Sequence, residues 1–221
     1  MTAIPRAALV TPLPGSLIDS RGWLTMAWVG VLVFTAALVT LMALGRWDEL
    51  QMAAAFYVPM VAVMLVPHGL PALLVAVIAG CFLISGAGWA WDWYSLFWWF
   101  DIALHTLNPF AIMAGSMFMF WKAGFLAYAP RKGRFVLWAA GLGLLIGIVW
   151  EVIEYTYLPL TWPDTILDIV MDTAGAALGG WFAIWLIEQR GLALVGPRRL
   201  ATFRVRPWSA QPVPVPVRTR R

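Results

Sequence analysis

The chain has 221 residues, of which 62% are hydrophobic and only 12% charged, with a mean hydropathy of +0.80. A soluble domain is nearer half apolar and a quarter charged, so an ordinary soluble globular domain is excluded and a single integral membrane bundle is implied. The formal net charge of +4 conceals a split, with bases mostly in one set of loops and acids in another.

Taken in chain order, residues 1–22 are proline-bearing, carry Arg6 and Arg21, and read as a short cytoplasmic arm. No cleavable signal peptide is expected, because the first apolar run is long enough to remain as a span. Trp23–Gly45 has the length a bilayer needs, about 20 residues. Arg46-Trp47-Asp48-Glu49 reads as the first loop, with Asp48 and Glu49 as solvated loop charges. Met52–Val66 is a shorter second span that Pro59 is expected to kink or tilt. Pro67-His68-Gly69-Leu70-Pro71 is a turn by composition, and His68 there is given no role. Ala72–Ala90 is the third span and contains the chain's single cysteine, Cys81, which excludes an intrachain disulfide. Trp89, Trp91, Trp93, Trp98 and Trp99 follow at a density that marks a membrane–water interface. Phe100–Trp121 is the fourth span, residues 122–134 a basic loop, Phe135–Tyr155 the fifth span and Asp164–Ile187 the sixth. Met113, Met117 and Met119 on the fourth span read as packing or lipid-facing. Asp92 is a loop charge. The tail, residues 188–221, carries Arg190, Arg198, Arg199, Arg204, Arg206 and three terminal arginines around a Pro-Val-Pro-Val-Pro run. That run is extended polyproline. The tail either touches anionic lipid headgroups or docks a protein partner.

The fold class that follows is all-α: a six-helix transmembrane bundle over 23–187. Positive charge orients it. With six spans the arm, the 67–71 turn, the 122–134 loop and the tail share one side, holding Arg6, Arg21, Lys122, Arg131, Lys132, Arg134 and the tail arginines; the other side holds Arg46 alone. Both termini are therefore expected to be cytoplasmic.

The acids concentrate at the opposite, outer end. Asp101 and His105 open the fourth span, Glu151 and Glu154 close the fifth, and Asp164, Asp168 and Asp172 open the sixth. Steps of three and four keep each set on one helical stripe, with Asn108 extending the first. On the fifth span Gly143 and Gly147 continue the stripe of Glu151, and on the sixth Gly175 and Gly179 continue that of Asp172. Folding these two spans antiparallel about the Leu158–Pro163 turn is expected to set Glu151 beside Asp168, Gly147 near Asp172 and Gly143 near Gly179, as a small-residue seam. Ionisable residues within a membrane are costly and mark functional sites. No lysine or arginine lies inside the spans to neutralise these. So many carboxylates cannot all stay ionised unless a cation sits among them; the alternative is that some carry protons. Carboxylates with one imidazole suit a hard or borderline divalent ion. Asp101, His105, Glu151, Asp168 and Asp172 are the candidate metal ligands, Glu154 is a candidate catalytic base, and Tyr155, Tyr157 and the tryptophans are candidate cavity walls. Asp164, after Pro163, reads as an N-cap or first-turn acid.

These motifs, Asp101-Ile-Ala-Leu-His105, Glu151-Val-Ile-Glu154 and Asp168-Ile-Val-Met-Asp172-Thr-Ala-Gly175, in this order across residues 95–187, resemble the VanZ-like superfamily of small bacterial membrane proteins, nearest its YjdF-type inner-membrane members. Asp172, often Asn in that family, and Thr106, where an aromatic residue is usual, depart from its pattern. The resemblance implies a multi-span protein of the bacterial inner membrane, in the cell envelope, with a shared polar site, and no particular reaction.

Three functions fit these residues. The first is a metal-assisted protein acting on or sensing a lipid-linked or envelope substrate. The second is a non-catalytic membrane subunit whose acids lock helix packing. The third is a cation- or proton-coupled transporter, for which no inverted repeat is visible. Nucleic-acid binding is not expected, since the basic tail adjoins a membrane and lacks an aromatic-interleaved platform.

Overall fold

A computed structural model describes residues 17–157 and 161–189. The amino-terminal arm through residue 16, residues 158–160 of the expected turn and the tail from Arg190 lie outside the described residues. Among those described, every regular element is helical. Six helices are long and apolar enough to cross a membrane. They are α1 (Arg21–Ala43), α2 (Trp47–Leu65), α3 (Ala72–Ala90), α5 (Phe100–Lys122), α6 (Lys132–Tyr157) and α7 (Trp162–Gln189), with a one-turn α4 (Trp93–Leu96) between α3 and α5.

Five of the six expected spans agree with these helices to within three residues at each end, the ordinary spread of helix ends. The second does not. Arg46 to Glu49 is not a loop: α2 begins at Trp47 and has 19 residues. Asp48 and Glu49 occupy its first turn, where the helix dipole favours negative charge. Glu49 is held by Arg46 at 2.8 Å. Charges that look like loop residues in the sequence are thus the start of a helix. Pro59 lies within α2 without ending it.

The turns are pinned by specific bonds. Ser20 caps α1 by accepting from the Gly22 N–H at 3.2 Å. The backbone N–H of Ala72, opening α3, donates to Asp19 at 3.4 Å. His68, given no role from sequence, locks the 67–71 turn. Its Nδ1 accepts from the Leu70 N–H at 3.0 Å, so Nε2 bears the proton and donates to the Val63 carbonyl at 2.8 Å. Lys122 at the end of α5 donates to the His68 carbonyl at 3.2 Å.

Packing divides the bundle in two. The helices α1, α2 and α3 pack on one another around Phe34, Met60, Ala53 and Ala79. The second group is α5, α6 and α7, with α7 packed against both others. Helix α3 joins the groups through α5, and its Ser85 and the Asn108 side chain of α5 exchange hydrogen bonds at 3.0 and 3.2 Å. Ser85→Ala leaves Asn108 without that partner. A loss of about 0.6–2 kcal/mol is expected, the range of polar pairs between membrane helices, measured as a lower unfolding midpoint in detergent.

The glycines decide how α7 sits. Gly147 faces Asp172, Gly143 faces Ala176, and Gly180 faces Ala139. Each step of four along α6 matches a step of four along α7, as expected for antiparallel neighbours. The same register brings Glu151 to the level of Asp168. The expected approach of Gly143 to Gly179 is not found. Gly175 and Gly179 stand one residue round the helix from that seam and face α5, against the carbonyls of Thr106 and Phe110. Helix α7 therefore has two small-residue faces, and Asp172 lies where they meet. Away from the acids, the bundle closes on an apolar core of Leu74, Ala114, Met117, Phe118, Phe135 and Ile184.

Candidate functional site

His105, on the second turn of α5, is the centre of the acid cluster. Its side chain is 6% exposed, and both ring nitrogens face carboxylates. Nδ1 lies 3.1 Å from Asp172 Oδ1 and 3.9 Å from Glu151 Oε1. Nε2 lies 3.7 Å from Asp101 Oδ1 and 3.8 Å from Glu154 Oε2. Only the Asp172 contact is a hydrogen bond. An ionised Asp172 can only accept, so Nδ1–H donates to it, and Nε2 faces Asp101 and Glu154.

The remaining acids stand close by. Asp101, His105 and Asp168 each bring a ligand atom within 4.8 Å of the others, and so do His105, Glu151 and Glu154. Each of these buried His/Asp/Glu groups can hold a metal ion. Asp168 and Glu151 are 2% and 3% exposed. Among the described residues both Glu151 oxygens, Asp168 Oδ1 and the Thr165 hydroxyl make no hydrogen bond of good geometry, the Thr165 hydroxyl lying beside Glu151. Buried polar groups are ordinarily paired, and an orphaned one asks for an explanation such as an ion or a water. Here three such carboxylate oxygens cluster beside a histidine.

All five expected ligands and Glu154 are thus brought together. Asp164 is exposed in the first turn of α7 and stands outside the cluster, as its position after Pro163 suggests. Tyr155 does not wall the cavity: it is 60% exposed and pairs with Trp162 at 6.3 Å between rings, because it lies one residue round α6 from the Glu151–Glu154 stripe. The side chain of Tyr157 lies outside the described residues. Of the tryptophans, Trp89 and Trp150 line the cavity, whereas Trp98 is 83% exposed.

That cavity, of about 770 Å³, runs from the cluster towards the middle of the bundle. Asp101, His105, Glu154 and Asp172 form its polar end; Phe56, Phe82, Leu104, Ile112, Met113 and Ile146 form apolar walls. Tyr94 of α4 covers the polar end. Its ring lies 5.1 Å from Trp89 and 5.0 Å from Phe100. Burial, with the Asp101 and Glu154 carboxylates beside it, pushes the Tyr94 hydroxyl up, so it stays a neutral donor. Gly88 makes room for this cap, since a Cβ there would run into Tyr94 and Phe100.

Sequence reasoning missed four contributors. Pro109 lies inside α5, four residues after His105. It has no N–H, so the His105 carbonyl receives no helical hydrogen bond at the site itself. Met52 and Phe56 of α2 and Tyr94 of α4 reach the cavity from elements that carry no buried acid. The spacing of Pro109 from His105 was a signal in the sequence; the approach of α2 was not. No family model, curated protein or solved structure matches the chain.

Proposed function

We propose that this is a bacterial inner-membrane protein that binds a divalent cation in its outer leaflet and acts on or senses a lipid-linked envelope substrate held in the adjoining cavity. The orphaned carboxylates of Glu151 and Asp168, buried beside His105, carry this reading. Asp101, Asp168 and His105 Nε2 would hold the ion. Asp172 then fixes the ring through Nδ1, the carboxylate–histidine–metal arrangement common at metal centres. A divalent ion there would supply Lewis acidity or an activated water. Glu154, on the cavity wall, is left to face the substrate. The basic ends support the orientation: Lys132 pairs with Glu188 and Lys122 closes the 67–71 turn, both far from the acids. Cytoplasmic termini and lipid contact by the basic tail follow from the positive-inside rule. The ordered Asp/His, Glu/Glu and Asp/Asp motifs agree with a VanZ-like relationship. Transport is less well supported, because the core around Met117, Phe118 and Ile184 offers no polar route past the cavity.

Elemental analysis of the detergent-purified chain is expected to find one divalent ion per protein, lost in His105→Ala. Wild-type protein purified without chelators, offered magnesium, manganese and zinc, and still binding none would sink the metal reading. Variants that then unfold would point instead to acids that only lock helices.

A further inference from the structure

The cavity has an amphiphile's shape, with carboxylates at one end. Among the described residues Asp101, Glu154 and Asp172 line it there beside the His105 imidazole, and no lysine or arginine does. Aromatic faces stand at that same end: Trp89, Tyr94 and Trp150. Carboxylates beside aromatic rings suit an organic cation, which gains both ion pairing and attraction to the ring faces. Below this end the walls are apolar.

Access is lateral. Helices α2 and α6 both line the cavity but pack on different neighbours, α2 on α1 and α3, α6 chiefly on α7. The α6 residues that line it, Ile146, Trp150 and Ile153, remain 45%, 42% and 45% exposed, on the face a bilayer would cover. A molecule already in the lipid can slide its tail between α2 and α6 while its head stays at the polar end.

We propose that the cavity takes an amphiphile with one apolar chain and a positively charged amine head, the ammonium bound by Glu154 under Trp89, Tyr94 and Trp150. The assignment rests on the reading above, in which the metal occupies Asp101, Asp168 and His105 and leaves Glu154 free. It specifies the substrate's chemistry as cationic. Among the described residues no lysine or arginine lines the cavity, so a phosphate head could find positive charge only at the metal, whereas the amine pairs with Glu154, which the metal leaves free.

Native mass spectrometry of the full chain in a neutral detergent tests this with three probes of one tail length: hexadecylamine, hexadecanol and hexadecyl phosphate. One amine per chain is expected, bound at least about tenfold more tightly than the alcohol, the scale of a hydrogen bond to a charged group. Glu154→Gln should bring the amine down to the level of the alcohol. Should Glu154→Gln fail to fold, Trp150→Leu, which keeps the charge but removes a ring face, is expected to narrow the amine's advantage. Tighter binding of the phosphate, equal binding of amine and alcohol, or an unchanged preference in both variants would overturn the proposal. Metal measured on the same samples separates the two readings. Bound metal without amine preference removes only this proposal, and amine preference without metal removes only the metal.

Discussion

Gly175→Leu and Gly179→Leu are each expected to destabilise the protein by about 3 kcal/mol or more, the upper end of overpacking costs. The reason is what the new side chain would meet. At Gly175 a Cβ runs into the backbone carbonyl of Thr106, and at Gly179 into that of Phe110 and, at 3.0 Å, the amide nitrogen of Ala114. Backbone atoms inside a helix cannot rotate away, so α5 must move off α7 as a rod. For a chain of this size that corresponds to a fall in melting temperature of roughly 6–12 °C, read by thermal unfolding in detergent. Gly141→Ala is the control. Its Cβ meets nothing within 4 Å, so it should be neutral or gain about 0.4–1 kcal/mol from reduced chain entropy. The consequence reaches the site, because α5 carries Asp101 and His105 while α7 carries Asp168 and Asp172. Separating the helices pulls Asp172 from its 3.1 Å contact with His105, and the variants should lose metal along with stability. If Gly175→Leu melts with the wild type, the close α5–α7 approach is wrong.

The elements themselves were legible because lipid leaves few choices. A spanning segment must satisfy its backbone internally, so six long apolar runs meant six helices. The antiparallel register of α6 on α7 was legible too, since Glu151, Gly147 and Gly143 repeat at steps of four and so do Asp168, Asp172 and Ala176. What misled was the assumption that all the glycines of α7 serve one partner. A helix packed between two neighbours needs two small faces, and a step of three to Gly175 moves from one to the other. Helix α2 was misread for a different reason. Hydropathy cannot tell a charged loop from a charged first turn, and the Arg46–Glu49 pair that makes the difference is a three-dimensional fact. In the site, spacing identified the acids but not their orientation. The residues one step off the stripe, such as Tyr155, turned outward, while the cavity's far wall came from α2, which no motif connects to the acids.

Asp172→Asn should weaken metal binding by about 10–100-fold while leaving the metal-free protein as stable as the wild type or more so. Removing a group that orients a histidine ligand costs metal affinity on that scale. The amide oxygen of Asn can still accept from His105 Nδ1–H, so the ring keeps its place and only the charge is lost. Without an ion, five carboxylates surround one imidazole, and among the described residues no lysine or arginine lines the cavity. Removing one negative charge then relieves repulsion. Asp172→Ala differs, because it leaves a buried donor unpaired, and a loss of about 1–3 kcal/mol is expected for that. His105→Ala should abolish binding outright. Melting curves with and without chelator, beside metal titrations, measure all three. The opposed signs for Asn separate a metal centre from a purely structural cluster. If the acids only lock helices, Asp172→Asn weakens the bond that holds α7 to α5, and stability falls with no change in metal. If they hold an ion, affinity falls and the apo protein does not. In the proposed arrangement Asp172 would stand behind the ion, on the Nδ1 that the ion would leave free.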